Sequence, residues 1–334
     1  MHAPLLGGGE AGKSRQYIRR HAMPSPQVNQ ALPPGFLLDG YRIERQLSIG
    51  GFSIVYLAYD RDETPVAIKE YLPNSLALRS EGVEPIVPPE HRAAFNHGLK
   101  CFFEEGRALA YINHPNIVRV LNFFRANGTV YMVMRYERGR TLHEHIARHR
   151  GDIRESFVRN VFTRLLNGLR EVHAQKLLHL DIKPANVYLR VDGSPVLLDF
   201  GAARQTIDSE GGHLRPMYTP GFAAPEQYEA PDQLGPWTDI YAVGASLYNC
   251  LAGQAPPAAD QRLKKDEFVP ATQRFAGRYS RQLLETIDWC LNLDYLERPL
   301  SVFALQKTLA EAQDEHPPTW FDSINQRLRG MIGR

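Results

Sequence analysis

The rhythm of apolar and polar residues changes partway along the chain. Residues 41–47 and 54–59 are rich in β-branched and aromatic residues, and Ile49-Gly50-Gly51-Phe52 separates the two runs. That is the pattern of two strands joined by a hairpin. Residues 66–69 predict a third strand, and 118–124 and 130–136 two more. Between them, Phe95, Leu99, Phe102, Phe103, Leu109 and Ile112 follow helical spacing over about 92–112. After Gly139 the helical period dominates, most clearly over 157–173, 237–251, 283–293 and 302–312. A strand-rich first part and a helix-rich second part predict an α+β protein with two lobes.

Composition narrows the picture. At roughly 150 residues per domain, 334 residues correspond to about two domains or lobes. The 43% hydrophobic and 23% charged residues suit a globular chain that buries a sizeable core. With 39 Lys and Arg against 37 Asp and Glu, the net charge is +2, too small to argue for a nucleic-acid partner, and none is expected. Cys101, Cys250 and Cys290 lie far apart without a Cys-x-x-Cys pair, so neither a disulfide framework nor a cysteine zinc site is expected. They read as buried thiols in a reducing compartment. The longest uncharged run, 240–259, is broken by Gly244, Gly253, Pro256 and Pro257 and reads as a buried helix rather than a membrane span. With no stretch resembling a signal peptide, a soluble cytoplasmic protein is expected. Residues 1–35 hold five prolines and five glycines, which predicts a flexible N-terminal arm over 1–40, with Met23 as a second candidate start.

Two glycine-rich segments invite a phosphate reading. Gly7-Gly8-Gly9-Glu10-Ala11-Gly12-Lys13-Ser14 spells a P-loop, but that device needs a strand before it and a helix after it. Only six residues precede it, including Pro4, so the match is read as chance and a nucleotide hydrolase built on it is set aside. Ser48-Ile49-Gly50-Gly51-Phe52-Ser53-Ile54-Val55 instead sits in a strand-turn-strand, where glycine lets backbone N–H groups approach phosphate oxygens. Val66-Ala67-Ile68-Lys69 then places a cation at the end of an apolar strand, with Glu105 on the next helix as its candidate partner. His179-Leu180-Asp181-Ile182-Lys183-Pro184-Ala185-Asn186 gathers a carboxylate, a cation and an amide, and thirteen residues later comes Asp199-Phe200-Gly201. One Asp can take a proton from a hydroxyl, while an Asn and a second Asp offer the oxygen ligands that Mg2+ prefers.

Together with Ala224-Pro225-Glu226, these motifs stand in the order and spacing of the protein kinase signature set. Over about 41–311 the chain resembles bacterial Ser/Thr protein kinases, also through VAIKEYLP at 66–73, HPNIV at 114–118, YMVMRY at 131–136 and DIYAVG at 239–244. The resemblance implies a bilobal kinase fold, with a small antiparallel-sheet lobe carrying one main helix over 41–137 and a larger, mostly helical lobe over 138–312. It implies ATP and Mg2+, with Mn2+ as a substitute, and a protein substrate bearing a Ser or Thr acceptor. In that resemblance Leu47, Ser48, Gly50, Gly51, Phe52, Ser53, Val55 and Ala67 surround the nucleotide. Lys69 holds its α- and β-phosphates and pairs with Glu105, favoured over Glu104 by counting back from His114-Pro115. Met134 guards the back of the adenine pocket, and Arg135 and Glu137 belong to the hinge. Asp181 orients and deprotonates the acceptor hydroxyl, Lys183 neutralises the transferred group, and Asn186 and Asp199 bind the metal. Glu226, its partner Arg298, and Asp239 are scaffold. Lys183 and Thr219 resemble the Ser/Thr rather than the Tyr branch.

Four features depart from that pattern or add to it. Ser48 and Ser53 stand where the family has its first and third loop glycines. Leu180 replaces an arginine that commonly pairs with a phosphate on the activation segment, so activity independent of phosphorylation there is expected. The alternative, a pseudokinase serving as a nucleotide-binding scaffold, is opposed by the presence of Lys69, Asp181, Lys183, Asn186 and Asp199. The stretch 71–99 contains Pro73, Pro85, Pro88 and Pro89 and reads as a surface insert, with a regulatory or docking site as the sharper reading. In the tail, 313–334, Trp320, Phe321, Ile324, Leu328, Met331 and Ile332 fall near helical spacing beside Arg327, Arg329 and Arg334. This predicts an amphipathic basic helix over 317–334 that docks on the large lobe, a membrane surface or a partner.

Overall fold

The computed structural model describes residues 29–149, 152–200, 205–207, 214–216 and 218–311. The alternating segments form strands β1 (Leu37–Leu38), β2 (Tyr41–Ile49), β3 (Ser53–Tyr59), β4 (Pro65–Tyr71), β5 (Val120–Ala126) and β6 (Thr129–Arg135). They pair antiparallel in one sheet of order β1-β2-β3-β4-β6-β5. Two register shifts in the β2–β3 pair twist the hairpin that carries the glycine-rich loop. Helix α1 (Arg92–Ala110) packs on β5 and β6 and buries Phe95, Gly98, Phe102, Glu105, Gly106 and Leu109, one helical stripe. The Tyr71 hydroxyl occupies the space a side chain at Gly98 would need, so α1 lies close to the end of β4.

The second lobe begins with β7 (Gly139–Thr141), α2 (Leu142–Arg148) and α3 (Glu155–Ala174). A capping box starts α2: Thr141 Oγ1 accepts from Glu144 N at 3.1 Å, and Glu144 Oε2 accepts from Thr141 N at 2.8 Å. Strands β8 (Val187–Arg190) and β9 (Pro195–Leu197) complete a small β7-β8-β9 sheet. Strands β10 (Gln205–Ile207) and β11 (Leu214–Pro216) form a separate pair. Helices α4 (Pro225–Glu229), α5 (Pro236–Ala252), α6 (Ala259–Lys264), α7 (Ala271–Arg274), α8 (Arg281–Cys290) and α9 (Val302–Glu311) follow. The apolar run read as a core helix is α5, buried from Thr238 to Leu251. No helix among the described residues is long and apolar enough to cross a membrane.

The lobes are joined by more than the covalent link. Residues 116–118, between α1 and β5, bond to β9: Val118 N donates to Leu197 O at 3.0 Å, Leu197 N to Asn116 O at 2.8 Å, and Asn116 Nδ2 to Pro195 O at 2.7 Å. Glu137 adds a forked ion pair to Arg190 of β8, with both N–O distances 2.8 Å.

Two expectations about organisation are corrected. Residues 29–40 are not a flexible arm. Leu32 and Leu38 are buried, β1 pairs with β2, and Asn29 is 2% exposed. Proline and glycine content reports the backbone's tendency and misses these anchors. The stretch 71–99 is not mere surface decoration, because Leu72, Leu76, Ala77 and Arg79 are buried, Leu78 and Ile86 form an antiparallel bridge, and α1 already starts at Arg92. Residues 7–14, Met23 and the tail 313–334 lie outside the described residues. Cys250 and Cys290 are buried free thiols, pushed up by that burial; Cys101 is a half-buried one.

Candidate active site

A cavity of about 360 Å³ lies between the lobes. The small lobe lines it with Ser48, Ile49, Gly50, Gly51, Phe52, Ser53, Val55, Lys69, Tyr71, Phe102 and Glu105; the large lobe with Lys183, Asp199, Phe200, Tyr218 and Thr219. Gly50 and Gly51 have no left-handed backbone, and a Cβ on Gly51 would meet nothing within 4 Å. The fold itself therefore does not require glycine at Gly51; bare backbone beside a cavity is what a phosphate cradle requires.

Strand alternation turns Lys69 towards the cavity. Its Nζ lies 3.0 Å from Asp199 Oδ1 and 5.5 Å above the Phe102 ring. Glu105, buried on α1, lines the same cavity. Opposite, Asp181 is shared by three neighbours. Lys183 Nζ lies 3.1 Å from Oδ1, Thr219 Oγ1 donates to Oδ1 at 2.8 Å, and Lys183 Nζ donates to Thr219 Oγ1 at 2.7 Å. Asn186 Nδ2 donates to Asp181 Oδ2 at 2.6 Å and to Asp181 O at 2.8 Å. Nδ2 thus serves the loop; the Asn186 amide oxygen and the Asp199 carboxylate are each oxygen donors of the kind a hard cation takes.

The loop 179–186 owes its position to buried groups behind it. Asp239, at the start of α5, accepts from His179 N at 2.9 Å through Oδ2 and from Leu180 N at 2.8 Å through Oδ1, and His173 Nε2 meets Oδ2 at 2.8 Å. The His179 ring bonds Leu198 O at 2.8 Å and lies 4.4 Å from the Phe200 ring, which ties the loop to the segment carrying Asp199. Leu180 and Asp199 both adopt left-handed backbone, at φ 61° and 48°. Such conformations are costly and persist where the surroundings over-determine them. Deeper in the lobe Arg298 makes a forked pair with Glu226, at 2.8 and 3.0 Å.

The sequence-predicted residues divide in two. Ser48, Gly50, Gly51, Phe52, Ser53, Val55, Lys69, Glu105, Lys183 and Asp199 line the cavity; Asp181 and Asn186 are not among its lining, but Asp181 is bonded to Lys183 and Thr219, which are, and Asn186 is bonded to Asp181. Leu47 on β2, Ala67 on β4 and the buried Met134 on β6 are not among its lining; Ala67 and Met134 face each other across the β4–β6 pair. Arg135 and Glu137 line a separate pocket beside Arg190. The sequence reading missed Tyr71 and Phe102 in the cavity and His173 behind the loop. Tyr71 lies two residues beyond Lys69 on the same strand face, and Phe102 one helical turn before Glu105, so both were accessible from spacing. Nothing local marks His173.

A family profile, protein kinase domain, matches residues 41–309. Serine/threonine-protein kinase B of Synechocystis sp. is 31% identical over 278 residues, covering 78% of this chain and 46% of that relative. Serine/threonine-protein kinase pkn3 of Myxococcus xanthus is 26% identical over 292 residues, covering 82% and 50%. The chain spans about half the length of these relatives. Among solved structures, the apo form of PpkA-294 superposes with a TM-score of 0.77 at 37% identity, over 84% of this chain and 99% of that one. The PknI kinase domain of M. tuberculosis, at 23% identity and a TM-score of 0.63 over 84% and 98%, shares the fold. Since the profile runs from β2 into α9 and so takes in both lobes and the cavity between them, the chain belongs to the protein kinase domain family.

Proposed function

We propose that this chain is a Ser/Thr protein kinase. It transfers the γ-phosphoryl group of ATP, held with Mg2+, to a Ser or Thr hydroxyl of a protein substrate, without needing phosphorylation of its own activation segment. The observation that carries this is the Asp181–Lys183–Thr219 triangle, where a carboxylate accepts from a threonine hydroxyl at 2.8 Å beside a cation, on the cavity that Lys69 and Asp199 also line.

The residues suit the nucleotide and metal. Bare glycine backbone lines the cavity, Lys69 offers a cation to the α- and β-phosphates, and Glu105, on the same cavity, is its proposed partner. Asn186 and Asp199 supply two oxygen ligands, the small protein share that Mg2+ takes alongside phosphate oxygens. Bound with Mg2+, ATP supplies the phosphoryl group while the cation offsets its phosphate charge. Asp181 orients the acceptor hydroxyl and takes its proton as the new P–O bond forms and the bond to ADP breaks. Lys183 neutralises charge on the group in transit. Phosphorylation independence is supported by Leu180, whose side chain has no donor for a phosphate.

The test is transfer of label from γ-labelled ATP to the chain itself and to a generic protein substrate, with and without a Mg2+ chelator. Asp181→Ala is expected to lower kcat by about 10²–10⁴, the weight of a general base, while nucleotide affinity holds. Chelation is expected to abolish transfer. A wild-type chain that binds nucleotide and transfers nothing is a pseudokinase, and the proposal fails.

A further inference from the structure

Behind β4, on the side away from the cavity, lies a buried polar cluster that the reaction above does not use. Alternation places Lys69 towards the cavity and Glu70 towards the back. Glu70 is fully buried and its carboxylate is saturated. Arg79 donates through Nη1 to Oε1 at 2.5 Å and through Nη2 to Oε2 at 2.8 Å. Tyr56 donates to Oε2 at 2.6 Å and Tyr131 to Oε1 at 2.8 Å. Arg79 is itself 0% exposed and spends its Nε on Gln30 O at 2.8 Å.

The N-terminal segment closes this cluster and extends it. Leu32 N donates to Tyr56 Oη at 3.1 Å, Gln30 N to Arg79 O at 2.8 Å, and Arg79 N to Asn29 Oδ1 at 2.5 Å. Asn29 Nδ2 in turn donates to Asn74 Oδ1 at 2.7 Å, Ala77 O at 3.2 Å and Leu72 O at 3.4 Å. The bonds then reach the glycine-rich loop itself: Leu72 N donates to Phe52 O at 2.8 Å and Asn74 N to Gly51 O at 2.9 Å.

Stability alone gives weak grounds for a buried ion pair, because desolvating two charges offsets most of their attraction and apolar replacements do as well. A forked arginine–carboxylate pair adds a fixed position. Here two of its links lead to the nucleotide side: Glu70 adjoins Lys69 on β4, and Arg79 N binds Asn29, which holds the 72–77 segment. We infer that Arg79 and Asn29 are positioning residues for the nucleotide site. Arg79 sets β4, and with it Lys69; Asn29 holds the 72–77 segment to which the tip of the glycine-rich loop is bonded. The N-terminal segment is thus part of the nucleotide-binding apparatus, an inference that rests on the kinase reading and deepens it.

The test uses the full chain with Asn29→Ala, Asn74→Ala and Arg79→Lys, the last keeping the charge but losing the fork. The readouts are the Kd for a fluorescent ATP analogue with Mg2+, KM for ATP against kcat, and amide hydrogen exchange. Asn29→Ala is expected to raise Kd and KM about fivefold, the weight of one net hydrogen bond, and to leave kcat nearly unchanged. Exchange at Leu72 and Asn74 is expected to quicken, with Asp181 to Asn186 unaffected. Asn74 is exposed, so its variant folds even if Arg79→Lys does not. Wild-type Kd and exchange in both asparagine variants overturn the inference. If the wild-type chain transfers no phosphoryl group while the variants still weaken nucleotide binding, the positioning roles stand and the kinase reading is what fails.

Discussion

At position 180 the backbone does the holding. Leu180 sits at φ 61°, its N–H bonded to Asp239 and its carbonyl accepting from Gln227 Nε2 at 3.2 Å. Leucine offers no donor to a phosphate, and the loop is already anchored from behind. A Thr206→Ala/Ser209→Ala double variant is therefore expected to keep wild-type phosphoryl-transfer rates in the label assay, and so is phosphatase-treated wild type. Complete loss in the double variant sinks the idea. At this scale the site was legible where its residues are contiguous. Asp181, Lys183 and Asn186 share one short motif, so spacing alone groups them. Tyr71 and Phe102 come from separate elements and meet only because β4 and α1 pack as they do, and His173 reaches Asp239 only because α3 packs against α5. Arg79 had no local signature either, since a lone arginine in a proline-rich stretch reads as solvated. Glu70 was the available clue, because it shares the inward face of β4 with Val66 and Ile68, and a buried carboxylate needs a cation.

Between elements, one carboxylate ties three helices together. Glu155, in the first turn of α3, accepts from Ser280 N at 2.7 Å, Ser280 Oγ at 2.6 Å and Arg159 Nε at 2.7 Å. Ser280 caps α8, and Arg159 Nη1 reaches Leu309 O of α9 at 2.7 Å. Burial by itself would push the Glu155 carboxyl up, but the bonds from Ser280 and Arg159 outweigh it and hold the group below its ordinary 4.5. A depressed carboxyl contributes stability above its unfolded value and loses that contribution as pH falls through the folded one. Glu155→Gln is thus expected to be less stable by about 1–2 kcal/mol at neutral pH. The gap from wild type should narrow as pH drops below 4.5, read as urea midpoints across a pH series. Equal midpoints at neutral pH would remove the carboxylate from this role. Elements long enough to show a period, such as α3, α5 and β2 to β6, were legible in the sequence. Strands β1, β7 and β9 have two or three residues, too few for any alternation, and exist because neighbours offer them partners.

Across the whole molecule the two lobes meet along the bonds between residues 116–118 and β9 and through the Glu137–Arg190 fork. Asn116, Val118 and Leu197 are buried, and Val118 and Leu197 pair through their backbone, so this seam should open last. Native-state hydrogen exchange is expected to find Val118 and Leu197 amides still protected at denaturant concentrations that already expose Leu72 and Asn74. The reverse order would mean that the lobes part before the glycine-rich loop loosens. Two lobes were foreseeable from the change of period after Gly139, but this seam was not. It depends on the Asn116 amide and on backbone partners roughly 80 residues apart, which no local pattern encodes. A joint stiffened along one edge has a mechanical consequence. It turns any opening of the cleft into rotation about that edge, and travel grows with distance from the axis. The β2–β3 hairpin stands beyond β4 from β6, well out from the fastened side. The glycine-rich tip therefore has a longer arm than β4 or β6 and sweeps farther for a given turn, and the bonds that steady it act where leverage is large.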